Sequence, residues 1–144
     1  MLLLEFSIAA HTYVLAAKSV IEVVPAVPLH PRSGLLPTLE YRGSAVPVLD
    51  LRYRYCGEST ASSLATRIVL VGQNGQIPSL GLLAEHVTAV RVRALSPVDS
   101  APAVTPIPTH CFRDEGGGVR YLVDLESLGA EAGDTRDCTG QRGS

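Results

Sequence analysis

Residues 41–51 read Tyr41-Arg42-Gly43-Ser44-Ala45-Val46-Pro47-Val48-Leu49-Asp50-Leu51. Gly43 supplies a permissive backbone for a turn, and a run rich in Val and Leu follows it, as a strand after a turn should read. Pro47 lies inside that run and has no N–H to give a ladder, so an edge or bulged strand is predicted. Asp50 sits between Leu49 and Leu51, where an acid needs a partner such as Arg52 or a backbone donor. Arg42 has two readings. It is either one residue of a structural turn or an exposed guanidinium that anchors an interface.

The pattern repeats on both sides. Ten prolines, at 25, 28, 31, 37, 47, 78, 97, 102, 106 and 108, leave little room for long helices. Between them lie short Val-, Ile- and Leu-rich runs over 2–8, 13–16, 45–51, 67–71, 79–84, 87–92 and 119–125. Asn74-Gly75 and Glu115-Gly116-Gly117-Gly118 are turn signals. Many short strands at this spacing predict a mainly β chain, a barrel or a sandwich. Ala17, Val20, Ile21 and Val24 have helical spacing ended by Pro25, and a second short helix is predicted over 58–65. Residues 129–144 are rich in Gly, Asp and Arg with almost nothing to bury, which predicts a flexible polar tail.

The chain has 144 residues, enough for one domain of ordinary size. Its hydrophobic share of 46% excludes a disordered chain, and its charged share of 18% lies below the roughly 25% of an average soluble domain. Less charge leaves more apolar surface to hide, a hint of a binding face. Twelve basic against fourteen acidic residues give a net charge of -2, against the pattern of a nucleic-acid binder. No run approaches a membrane span. The apolar start lacks a basic leader and is interrupted by Glu5, so it reads as a first strand of a cytoplasmic protein. Cys56, Cys111 and Cys138 are odd in number and far apart, which predicts free thiols.

A search for chemistry finds little. His11, His30, His86 and His110 have no ligand-spaced partner beyond the adjacent Glu85-His86, and strand neighbours point to opposite faces. The glycine run at 116–118 lacks the Lys-Ser/Thr and helix start of a phosphate loop. No catalytic, metal or cofactor residues are predicted.

The R-G-x-x-V-P-V-x-D-L of Arg42 to Leu51 resembles the signature of the CheW family of chemotaxis coupling proteins. Leu4-Glu5-Phe6 with Tyr13-Val14-Leu15 is similar to that family's opening hairpin, and Lys18 to Val23 to its short helix. Arg67 to Val71 and Gly81 to Val87 resemble its central strands, and Tyr121 to Leu128 its closing strand and helix. The resemblance covers about residues 2–128 and implies one CheW-like domain over 1–128: two small five-stranded SH3-like β-barrels sharing a core, with one or two short helices. It implies a non-catalytic, cytoplasmic adaptor without cofactor, coupling the cytoplasmic tip of chemoreceptors to a CheA-like histidine kinase at receptor arrays. Neither nucleic-acid binding nor membrane insertion is implied. Carried over residue by residue, it marks Arg42 and Gly43, Val20 and Glu22, and Leu80 and Gly81 as protein-binding positions.

Three departures bear on the partner. Where the family usually reads G-x-x-N-L-R-G, this chain has Pro37-Thr38-Leu39-Glu40-Tyr41-Arg42-Gly43, and its usual D-x-V is Glu85-His86-Val87. They favour a specialised coupling protein, or a binding module of the same fold with another partner, such as a localisation adaptor in a surface-sensing or pilus pathway.

Overall fold

The computed structural model describes residues 1–8, 11–58, 60, 64–72, 77–98 and 109–128. Eleven strands carry it: β1 Leu2–Ile8, β2 His11–Ala16, β3 Val20–Pro25, β4 His30–Arg32, β5 Leu35–Tyr41, β6 Ser44–Asp50, β7 Thr66–Val71, β8 Leu80–Arg91, β9 Leu95–Pro97, β10 Thr109–Asp114 and β11 Val119–Val123. A 3-10 turn, Ala17–Ser19, and one short helix, α1 Leu51–Cys56, interrupt them, and 125–128 makes a final helical turn. The predicted mainly β architecture with short helices holds. No helix among the described residues is long and apolar enough to cross a membrane.

The sheet path runs β4-β5-β6-β8-β1-β2-β11-β10-β9, with β7 pairing β8 and β3 beside it. The long strand β8 belongs to both halves of the molecule. Its first part lies between β7 and β6, from Leu80 opposite Val71 to Glu85 opposite Thr66. Its last part pairs with β1, from Thr88 opposite Glu5 to Arg91 opposite Leu2. Between them the register shifts at a bulge, and exposed His86 takes a left-handed backbone, φ 53. This bulge is why 79–84 and 87–92 read as separate strands in the sequence.

Packing follows the division. Leu39, Val46, Val48, Ile68 and Leu70 fill the half built from β3 to β8, and Leu3, Val14 and Val92 fill the other. A larger cluster lies between them and draws Phe6, Tyr13, Leu15, Leu51, Val69, Leu82, Val123 and Leu128 from both halves. That is the shared core. Strands β3, β4 and β9 each pair on one side only, and each contains a proline: Pro25, Pro31 and Pro97. A residue without an N–H blunts a free edge against further pairing.

Three local expectations are corrected. The segment expected as a helix from Ala17 is helical only through Ser19 and continues as strand β3. Val20-Ile21 and Val23-Val24 are β-branched and stiff at χ1, which favours a pleated surface, and a bulge against β7 between Val20 and Glu22 produces the misleading spacing. The second helix forms earlier than 58–65, over Leu51–Cys56; residues 59 and 61–63 lie outside the described residues. Its signals are local. Asp50 Oδ1 accepts the N–H of Tyr53 as N-cap, and Gly57 ends the helix at φ 79. Finally, β6 is not an edge strand. It pairs with β5 through 44–47 and with β8 through 48–50, so Pro47 falls where one partner gives way to the other. The Asn74-Gly75 turn, Cys138 and the 129–144 tail lie outside the described residues.

Candidate protein-binding site

Arg42 and Gly43 form the whole connection between β5 and β6, since Tyr41 and Ser44 are the last residues paired across it. Both have positive φ, 49 and 85. Two left-handed residues in a row define the type I′ hairpin, whose twist matches that of the strands it joins. Glycine adopts that backbone freely, whereas an arginine there crowds its Cβ at a cost of about 1–2 kcal/mol. The predicted turn is present, and Arg42 is its strained half.

The Arg42 side chain is 80% exposed, as an interface residue at a turn should be. Its guanidinium stands over the Tyr41 ring, 5.2 Å from the centroid, and Nη2 lies 3.9 Å from Glu22 Oε1. Tyr41 Oη donates to the same Glu22 oxygen at 2.5 Å. That hydrogen bond, aided by desolvation and the Glu22 charge and opposed by Arg42, holds the Tyr41 phenol above its ordinary pKa of 10.0. Glu22 comes from β3, at one end of the curled path β3-β7-β8-β6-β5-β4, and Tyr41 from β5, the last strand but one at the other. Their side chains bridge β3 and β5. An exposed ion pair at this distance contributes only about 0–1 kcal/mol, so fold stability does not account for an arginine in this turn.

The remaining expected positions separate. Val20 is half-buried against the shared core. Leu80 is 5% exposed within that core. Gly81 is buried, and a Cβ there would lie 3.0 Å from Ile68 Cγ2 and 3.2 Å from Val48 Cγ2. Leu80 and Gly81 are thus buried in the chain and contribute to the packing beneath its surface. Arg42, Gly43 and Glu22 are brought together. Tyr41, which links them, precedes the signature, and nothing local to it signals a bond to a residue nineteen positions earlier.

The other polar groups serve the fold. Asp50 finds the expected backbone donors: besides capping α1, its Oδ2 accepts the Thr60 N–H at 2.9 Å and its Oδ1 the Thr60 hydroxyl at 2.6 Å. Arg52 lies instead with Glu58 at 3.2 Å and Glu85 at 3.8 Å. His110 Nε2 is 3.3 Å from Asp124 Oδ2, which also accepts from Ser127 Oγ at 2.8 Å. Asp124 Oδ1 also accepts the Ser127 N–H at 3.3 Å, so this carboxylate caps the final helical turn. Among the described residues no three His, Cys, Asp or Glu side chains converge to hold a metal.

Comparison with known proteins gives a consistent result. A family model described as CheW-like domain matches residues 2–132. The chain is similar in structure to the scaffolding protein TtCheW from Thermoanaerobacter tengcongensis, with a TM-score of 0.65 and 23% identity over 86% of this chain and 84% of that one. A comparison with curated proteins returned no match. With nearly its whole described length matched, two barrel-like halves around a shared core and the Arg-Gly turn of its signature in place, this chain belongs to the CheW-like domain family.

Proposed function

We propose that the protein is a non-catalytic adaptor that couples the cytoplasmic tips of chemoreceptors to a CheA-like histidine kinase. It works in the cytoplasm at receptor arrays. The observation that carries this reading is the exposed Arg42 guanidinium, held on a strained two-residue turn beside Glu22. The turn sets the direction of the side chain, and the Tyr41 ring beneath limits its freedom. A planar fork held in this way grips a carboxylate or carbonyl of a partner bidentately, which a lysine does less well. Gly43 fixes the hairpin, while Glu22 and the exposed part of Val20 extend the contact surface along β3.

The test pairs thermal unfolding of Arg42→Glu with titration against the kinase and the receptor tip. Stability is expected to stay within about 0.5 kcal/mol, as for ordinary surface substitutions. Affinity for at least one partner is expected to fall by about thirtyfold, near 2 kcal/mol. Full affinity for both would remove Arg42 from the interface. If the unmodified protein binds neither partner, the coupling role fails, and the Pro37 and Glu40 departures from the family pattern then favour an adaptor of the same fold with another partner.

A further inference from the structure

The half of the molecule away from Arg42 holds a charged cleft that shares no residue with the Arg42 site. Arg91 ends β8, Val92 is buried at 3% exposure, and Arg93 follows it. Alternation places both exposed arginines on the side away from the core. The segment is held in place by Met1, whose carbonyl accepts the Val92 N–H at 2.9 Å and whose nitrogen donates to the Val92 carbonyl at 2.8 Å. Glu115, from the β10–β11 turn, stands opposite. Met1, Arg91, Val92, Arg93 and Glu115 line an open cleft of about 550 Å³.

The one carboxylate in the cleft is already occupied. Glu115 Oε1 accepts the backbone N–H of Arg93 and, at 3.3 Å, that of Ala94. Among the described residues neither the Arg91 nor the Arg93 side chain has an acidic partner, whereas Arg42, Arg52 and Arg120 all do. Arg67 and Arg113 also lack an acid but bond to backbone carbonyls, so the two guanidinium groups that line this cleft are set apart by having neither kind of acceptor among the described residues. These two attract an anion, and the surroundings select its kind. The backbone N–H groups of Val92, Arg93 and Ala94, which would cradle a phosphate, are all spent. The lining includes Met1 at 60% exposure, and Leu2, at 41%, lies beside it opposite Arg91 in the β1–β8 pairing.

We infer that this cleft binds an acidic peptide segment of a partner protein, with carboxylates on Arg91 and Arg93 and an apolar side chain against Met1 and Leu2. The surface lies on the opposite half from the Arg42 turn and stands or falls separately from it. Fluorescence anisotropy of a fluorescein-labelled peptide of Glu and Leu residues, titrated with the full chain, tests it. Saturable binding at low salt is expected, with amide shifts in the unmodified protein centred on 91–93 and 113–116. Arg91→Ala with Arg93→Ala is expected to weaken it about tenfold or more, and the double lysine variant less, because charge remains while the fork is lost. Arg42→Glu is expected to leave it unchanged. Absence of binding, shifts elsewhere, equal affinity in the alanine variant or loss in Arg42→Glu would each overturn the inference. Displacement by millimolar inorganic phosphate would overturn the peptide assignment in favour of a phosphate ligand.

Discussion

Two hairpins at opposite ends of the molecule solve the same problem in opposite ways. The β10–β11 turn spends its charges on the fold, Asp114 within the turn and Glu115 on the Arg93 and Ala94 amides. Asp114 Oδ1 accepts the N–H of Gly116 at 3.0 Å and of Gly118 at 2.8 Å, while Oδ2 accepts from Arg120 Nε at 3.1 Å. Arg120 continues to Glu5 on β1 at 3.0 Å, and the left-handed position belongs to Gly117, φ 87. The β5–β6 turn places an arginine in the left-handed position and leaves its guanidinium in solvent. One turn is built for folding. The other accepts strain to hold a charged group outward, as functional sites do when the surrounding strands determine the backbone.

This contrast can be tested against a core scale. Leu70 is fully buried in the half that carries Arg42, so Leu70→Ala should cost about 2–5 kcal/mol through lost transfer energy and a cavity. Chemical denaturation measures it, and an unchanged midpoint would mean that the site collapses without a void. Arg120→Ala should come next, lowering the melting temperature by about 5 °C, because Asp114 and Glu5 lose a shared, half-buried partner. A loss no larger than that of Arg42→Ala would erase the distinction between the two turns.

The third change runs in the opposite direction. Asn-Gly is the favoured pair for a type I′ turn, since asparagine tolerates the left-handed region. Arg42→Asn should therefore stabilise the protein by about 0.5–1 kcal/mol while abolishing what the guanidinium binds. A melting temperature below that of the unmodified chain would show that the Tyr41 and Glu22 contacts outweigh the strain.

How much of this was legible in the sequence follows from the range of each signal. The bounds of β1 could be read directly, and those of β7 and β6 to within one residue, because dense apolar runs between turn residues are local. Strand β3 was not, because a bulge gave Val20, Ile21 and Val24 a helical spacing. Helix α1 is not legible although both its caps, Asp50 and Gly57, are visible, since Asp50 reads as an acid inside the apolar run 45–51. At the site, Arg42 and Gly43 stood out beside an apolar strand. Their link to Glu22 did not, because it depends on β3 being a strand and on the curl that brings β3 to β5. Leu80 and Gly81 are marked by resemblance alone, and no local signal in the sequence shows their burial.

The smallest effect separates the two hairpins by pH. Hydrogen bonds from the Gly118 and Gly116 amides, with Arg120, hold the Asp114 carboxyl below its ordinary 3.8, and Ser127 does the same for Asp124 at the last helical turn. A carboxyl depressed in the folded state stabilises it fully above the unfolded pKa, and that contribution is lost as pH falls through the folded one. Acid therefore acts on the second half, below about pH 4. Tyr41 is raised above 10.0 by its bond to Glu22, so its contribution is present below pH 10 and is lost as pH rises through the folded value. Alkali acts at the Arg42 turn. Melting temperatures of the unmodified chain, Asp114→Asn and Tyr41→Phe across the pH range should differ accordingly. Asp114→Asn should flatten the acid limb alone and Tyr41→Phe the alkaline limb alone. If Tyr41→Phe left the alkaline limb as steep as before, the phenol would not be giving its proton to Glu22 in solution, and Arg42 would lose the support that directs it outward.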